Sequence, residues 1–354
     1  MTNGEIISLT GIRGIAALYV VLFHIACDYS NVNFIDNGYI SVDLFFILSG
    51  FILSYVYQDM FSNGTNLKDY SLYLGNRIAR VWPTYIFWTC FAIFYYYRVT
   101  FPPLTIISNV FMVQNWGLSK SIVGTGWSLS TEFLVYFVFP FLCSIRKQQR
   151  STIFLLSFSA LFLILLAAYY KPHFMVGSQV KNNGLLDIIA FDGMGAICRT
   201  LGAFLLGIVA WKLFDNYKSI ELRLANFLTA LLLTILIFAL SMKKLDIIII
   251  LTLFVVIPLT GAKNTFLNKL LSSRPFYLLG VISYSLYLSH ALFIYKIRIK
   301  IHYWLLSYHS LHKIAFEISV FATLLVTIGI ACLSYRIIEK PLRNVLRSRL
   351  RLRY

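Results

Sequence analysis

Leu9-Thr-Gly-Ile-Arg13-Gly-Ile-Ala-Ala-Leu-Tyr-Val-Val-Leu-Phe-His24 is an apolar run that opens on a cation and carries one imidazole. Written as a helix, it puts Arg13 and His24 about 16 Å apart along the axis, roughly half of a hydrocarbon core about 30 Å thick. An arginine at a membrane face snorkels to the headgroups. A histidine near mid-membrane has no such exit and must face protein or a wet cavity, because an unpartnered polar ring in lipid costs free energy. The stretch predicts a membrane-spanning helix whose histidine has a partner.

The rest of the chain has the same character. Of its 354 residues, 59% are hydrophobic and only 13% charged, whereas a soluble domain carries about 25% charged residues. The net charge of +17 lies in short basic clusters between apolar runs and at the tail, as membrane topology requires. That pattern argues for a lipid bilayer and against nucleic acid as the partner. No secretory signal peptide is expected, since Arg13 leads straight into the first span. Cys27, Cys90, Cys143, Cys198 and Cys332 are scattered, with no CxxC pair and no disulfide framework. The histidines show no zinc spacing either, and no metal is expected.

Apolar runs long enough to span fall at about 12–30, 39–57, 82–98, 127–145, 152–170, 194–213, 224–241, 246–260, 276–295 and 314–335. The expected fold is therefore all-α, a polytopic membrane protein of about ten transmembrane helices. An even number of spans puts both termini on one side. Roughly twice as many Lys and Arg then fall on that side as on the other, which makes it the cytoplasm. Residues 101–118 are apolar enough to tempt an eleventh helix. Counting it would place Arg146, Lys147 and Arg150 outside, so a surface or re-entrant segment is expected instead. The chain reads as one membrane domain, 1–354, with no fused soluble domain.

Several polar residues do not belong in lipid. Asp43 lies near the outer end of the second span, in Gly38-Tyr-Ile-Ser-Val-Asp43-Leu-Phe-Phe-Ile-Leu-Ser-Gly50, where a carboxylate needs a partner. Ser49 and Gly50 read as packing residues. Arg77-Ile-Ala-Arg80-Val-Trp82-Pro83 puts two arginines on one face. This is a basic loop by the positive-inside rule, or a guanidinium clamp for a phosphorylated ligand. Gly124-Thr-Gly-Trp127-Ser-Leu-Ser130-Thr-Glu132 brings Glu132 to about the depth of Asp43, and Ile282-Ser-Tyr284-Ser-Leu-Tyr287-Leu-Ser-His290 brings His290 into the outer half. Arg199, in the sixth span, is a further buried charge. His24, Asp43, Glu132, Arg199 and His290 thus converge at one depth, with Arg77 and Arg80 across the membrane.

These stretches, together with the closing Glu339-Lys-Pro341, resemble the acyltransferase-3 family of integral membrane O-acyltransferases. The resemblance runs along almost the whole chain. It implies transfer of an acetyl group from acetyl-CoA to a hydroxyl of a cell-surface glycan (O-antigen, exopolysaccharide or peptidoglycan) in the bacterial cytoplasmic membrane. Two positions depart from the family pattern: Ser289 stands where a tryptophan precedes the histidine, and Thr131 where a glutamate precedes Glu132. The implied catalytic set is His24, Asp43, Glu132 and His290. The CoA phosphates would dock on Arg77 and Arg80, with Arg13. A neutral imidazole, with an ordinary pKa near 6.5, suits proton abstraction from a hydroxyl near neutral pH, and Asp43 or Glu132 would fix its tautomer. His24 as a base and His24 as a transiently acylated nucleophile both remain open.

A transporter or flippase of an acyl donor or lipid-linked sugar is the alternative, because carriers also use intramembrane carboxylates and histidines. The chain lacks the inverted repeats expected of one. Acceptor recognition is expected in the segments 101–126 and 171–193, where Phe101, Asn115, Trp116, His173, Asn182 and Asn183 suit either sugar contact or an ordinary loop.

Overall fold

The computed structural model describes residues 5–26, 32–62, 64–97, 99–144, 150–169, 184–187, 193–216, 220–308 and 314–349. Cys27, His173, Asn182 and Asn183 lie outside the described residues. The elements in order are α1 (Ile7–Ala26), α2 (Asn33–Asp36), a 3-10 turn, α3 (Ser41–Phe61), α4 (Leu67–Phe91) and its π-helical extension Ala92–Tyr97. Then come α5 (Pro103–Val110), α6 (Gly126–Ser144), α7 (Arg150–Tyr169), α8 (Gly193–Asn216), α9 (Leu222–Leu240) and α10 (Asp246–Gly261). The chain closes with α11 (Phe266–Leu271), α12 (Arg274–Leu306), α13 (Ala315–Ser334), a π-helical turn Tyr335–Glu339 and α14 (Lys340–Arg349). No strand occurs among the described residues.

Every apolar run of the sequence coincides with a helix. Eight helical segments among the described residues are long and apolar enough to cross a bilayer. The two outside that set have physical reasons. α4 is polar in its first half, where Lys68, Asp69, Asn76, Arg77 and Arg80 lie, and α10 has 16 residues, about 24 Å of helix against a core of about 30 Å.

Burial divides the bundle into core and rim. α1, α3, α6, α8 and α12 are more than half buried along their apolar windows, whereas α7, α9 and α13 are less than a third buried. Rim side chains such as Phe154, Phe158, Phe227 and Phe321 are exposed, which suits a lipid surround and no aqueous one. The core helices touch at glycines. A Cβ on Gly14 of α1 would come within 2.5 Å of the Gly280 backbone nitrogen of α12, and one on Gly50 of α3 would collide with the Phe204 carbonyl of α8. Small residues let these backbones approach.

One expectation about the elements is revised. The third span was expected from 82, with Arg77 and Arg80 in the loop before it. α4 instead starts at Leu67 and runs through Pro83, so both arginines sit well inside a helix. A proline costs such a helix one ladder hydrogen bond, and the aromatic packing around α4 holds it. Residues 101–118, expected as a surface or re-entrant segment and not as an eleventh span, form the eight-residue α5 and then a compact knot. Met112 takes a left-handed φ of 58° and Gly117 one of 91° to close it.

Candidate active site

α1 and α12 run side by side in the same direction: Arg13 Nη2 donates to the Gly280 carbonyl at 3.0 Å and Arg13 Nε to Ser283 Oγ at 3.0 Å. Towards the other end of the same two helices, His290 Nε2 and His24 Nδ1 lie 3.3 Å apart. The hydrogen bonds assign the tautomers. His290 Nδ1 is 3.1 Å from the Leu286 carbonyl, so it carries a proton and leaves Nε2 as acceptor. His24 Nδ1 is 2.8 Å from the Val20 carbonyl, so it too is the N–H, shared with His290 Nε2. The basic nitrogen of His24 is then Nε2. His290 is fully buried and His24 is exposed, so His24 is the accessible ring of the pair.

His24 sits in the last turn of α1. Because α1 begins at Ile7, His24 lies near the far end of the helix and not midway along it. Arg13 correspondingly lies nearly two turns inside it.

Asp43 is held elsewhere. Arg199 Nε donates to Asp43 Oδ1 at 2.9 Å and Nη2 to Oδ2 at 2.5 Å, with both side chains buried. Nη2 also reaches the Tyr39 carbonyl at 3.2 Å, and the guanidinium lies over Trp127, 5.7 Å from the ring centroid. Both carboxylate oxygens are therefore engaged by one arginine, and the carboxylate that was expected to orient His24 locks α3 to α8. The Val20 carbonyl does the orienting instead.

Glu132 is also displaced from its expected depth. Its Oε1 accepts from Ser49 Oγ at 2.7 Å. Ser49 lies six residues past Asp43 on α3, about 9 Å deeper. There the carboxylate is within electrostatic reach of Arg80, Arg77 and Arg13. Ser49 thus does more than pack, whereas Gly50 is the packing residue that the sequence indicates.

The two arginines of α4 part company. Arg77 is buried, with Nη2 donating to Tyr57 Oη at 3.0 Å and the guanidinium 5.2 Å from that ring's centroid. Arg80 is half-buried and donates no hydrogen bond to another described residue. Near it lies Glu339, a residue of the closing motif to which the sequence assigns no role. Glu339 Oε2 accepts from Ser285 Oγ at 2.7 Å, and Oε1 is 3.8 Å from Arg343 Nη1. The π-helical turn at Tyr335–Glu339 re-aims this side chain into the bundle. Its only sequence signal is an acid next to Lys340 and Pro341 at a helix end.

Between the tiers, Tyr287 Oη and Ser128 Oγ are 2.8 Å apart, and the Tyr287 ring lies 5.7 Å from that of His290. The site therefore has an imidazole pair at one end, Glu132 with Ser49 in the middle, and Arg80, Arg13 and Glu339 towards the other. This arrangement can abstract a proton at one level and hold negative charge at another.

The 101–126 segment is occupied with itself. Gln114 Nε2 lies 3.0 Å from Tyr85 Oη, 3.1 Å from Ser121 Oγ and 3.1 Å from the Gly126 carbonyl. Asn115 Oδ1 accepts from Ser121 Oγ at 3.0 Å, and Trp116 Nε1 donates to the Ser130 carbonyl at 2.9 Å. Asn115 and Trp116, which the sequence offers for sugar contact, are used to fasten the segment onto α6.

A family model described as an acyltransferase domain matches residues 6–336. The chain belongs to the acyltransferase-3 family. Within the family, it is 25% identical over 376 aligned residues to the O-acetyltransferase OatA of Staphylococcus aureus, covering 95% of this chain and 57% of that protein. It is 24% identical over 368 residues to the putative peptidoglycan O-acetyltransferase YrhL of Bacillus subtilis, covering 95% and 54% respectively. This acyltransferase-3 chain thus spans little more than half the length of these curated relatives.

Proposed function

We propose that this membrane acyltransferase moves an acetyl group from acetyl-CoA to a hydroxyl of a cell-surface glycan, with both termini in the cytoplasm of a bacterial cell. The observation that carries the reading is the His24–His290 pair, in which the Nδ1–H of the more exposed imidazole is fixed by the Val20 carbonyl and His290, so that Nε2 is its basic nitrogen. The names of the relatives, O-acetyltransferase and putative peptidoglycan O-acetyltransferase, support the acetyl group and the glycan.

In this mechanism the donor phosphates meet the Arg80 guanidinium, which donates no hydrogen bond to another described residue and shares the field of Glu132 and Glu339, with Arg13 nearby. Arg13 and His24 are eleven residues apart on one helix, about 16 Å, which an extended pantetheine arm bridges. His24 Nε2 takes the proton of the acceptor hydroxyl as its oxygen attacks the thioester carbonyl. The imidazolium is stabilised through its Nδ1–H by the Val20 carbonyl and the neutral His290, in the place a carboxylate has in a catalytic triad. The same proton then goes to the departing thiolate, leaving an O-acetyl ester and free CoA.

The test is O-acetyl content of the surface polysaccharide in a deletion strain complemented with wild type or His24→Ala at equal membrane expression. Restoration by wild type alone supports the reading; full restoration by His24→Ala refutes the mechanism. Thioester turnover by purified protein separates a transferase from a carrier, which does not cleave its cargo.

A further inference from the structure

α12 is 33 residues long, about 50 Å of helix, and outruns a hydrocarbon core of about 30 Å. Ser289, Phe293, Lys296 and Lys300 follow at spacings of four, three and four, which is one helical face. That face meets α4 and its π-helical extension. Phe293 lies edge-on to Trp88 at 5.7 Å, and Lys296 Nζ is 3.9 Å from the centroid of the Tyr96 ring. Along this seam two polar groups are left without partners. Ser289 Oγ and Trp88 Nε1 are buried and make no hydrogen bond among the described residues, although burying such groups unpaired is costly. A serine in a helix ordinarily donates to its own i−4 carbonyl; Ser289 does not. The stripe begins one residue from His290 and rises from it. Its lysines lie at the end opposite Ile7, the side to which the positive-inside rule assigns few cations.

We infer that the α4–α12 seam is the acceptor site of this enzyme, and that it selects a glycan bearing an anionic group, a carboxylate or a phosphate. The inference rests on the acyl-transfer reading above. The orphaned Ser289 hydroxyl and Trp88 indole N–H meet sugar hydroxyls one residue along α12 from the partner of His24, the aromatic rings cover the apolar sugar face, and Lys296 with Lys300 holds the anion about two and three turns beyond Ser289.

The protein in lipid nanodiscs is given acetyl-CoA and three acceptors. Chitotetraose is neutral, a peptidoglycan tetrasaccharide carries lactyl carboxylates, and a prenyl-pyrophosphate disaccharide carries phosphates. Binding by equilibrium dialysis is measured beside transfer. One anionic acceptor is expected to bind and react with a KM at least about tenfold below that of chitotetraose, as loss of a charged hydrogen bond implies. Which of the two does so identifies the anion. Lys296→Gln/Lys300→Gln removes the preference with a smaller change in kcat, and Lys296→Arg retains most of it. Lys243→Gln, in the exposed turn after α9, leaves KM unchanged. Ser289→Ala raises the acceptor KM without lowering thermal stability, because its hydroxyl has no intramolecular partner to lose. Equal affinity for all three acceptors, no binding of any, or a preference indifferent to both lysines overturns the inference. Lysine-dependent binding of an anionic acceptor with no acetyl transfer keeps the site and removes the transferase reading.

Discussion

Asp43→Asn separates a structural carboxylate from a catalytic one. In the native protein Arg199 directs two N–H groups at Asp43, at 2.9 and 2.5 Å, and one at the Tyr39 carbonyl. Neither side chain has access to water, at 2% and 0% exposure. The substitution leaves a guanidinium buried among Tyr39 and Trp127 without its hydrogen-bonded carboxylate, Asp246 acting on it only through space, and breaking a buried pair in this way costs about 3–5 kcal/mol. That is a large share of a folding free energy of about 5–15 kcal/mol. Because the penalty comes from the orphaned charge, removing both partners restores most of the loss: Asp43→Leu/Arg199→Met is expected within about 1–2 kcal/mol of wild type. The assay is unfolding in mixed micelles, with acetyl-CoA turnover normalised to folded protein. Asp43→Asn lowers stability, and the double variant recovers it along with a measurable fraction of turnover. If Asp43→Asn is as stable as wild type but inactive, Asp43 acts on substrate and the assignment is wrong.

The remaining predictions concern the tiers of the site and the segment beside it. His24→Gln lowers single-turnover acetyl transfer by about 10²–10⁴-fold, and His290→Gln lowers it less, because His290 acts only through His24; equal transfer by His24→Gln and wild type refutes the base. Arg80→Gln raises the KM for acetyl-CoA about tenfold or more, whereas Arg77→Gln chiefly lowers thermal stability, since its guanidinium is packed on Tyr57. The opposite split between these two variants rules out Arg80 as the phosphate contact. Gln114→Ala costs about 1–3 kcal/mol through its lost buried hydrogen bonds and makes the 101–126 segment sensitive to protease. An unchanged digestion pattern contradicts the internal network as the clamp.

The bundle was legible because hydropathy is a local property. Each apolar run announced its helix without knowledge of its neighbours, and the low charge content excluded a soluble domain. Start sites were less legible. α4 begins among Lys68, Asp69, Asn76 and Arg77, and hydropathy passes over polar helical residues that are shielded by protein. The polar set was legible for the complementary reason, that ionisable groups inside apolar runs need partners, and His24 with His290 proved to be one pair. Glu339 was quoted as part of a motif without a role, since nothing local joins it to Ser285, 54 residues away.

Taken alone, the sequence determined the class of protein, the order of its helices, and the short list of side chains that lipid cannot hold. Tertiary structure alone decided who meets whom. Asp43 could have served His24 or Arg199, and a contact across 156 residues gave it to Arg199. Glu132 could have stood at the depth of Asp43, and Ser49 holds it two turns deeper. The physical reason is common to both. Composition and periodicity are sums over neighbours in the chain, whereas depth and pairing depend on where each helix begins and how closely its glycines let another approach.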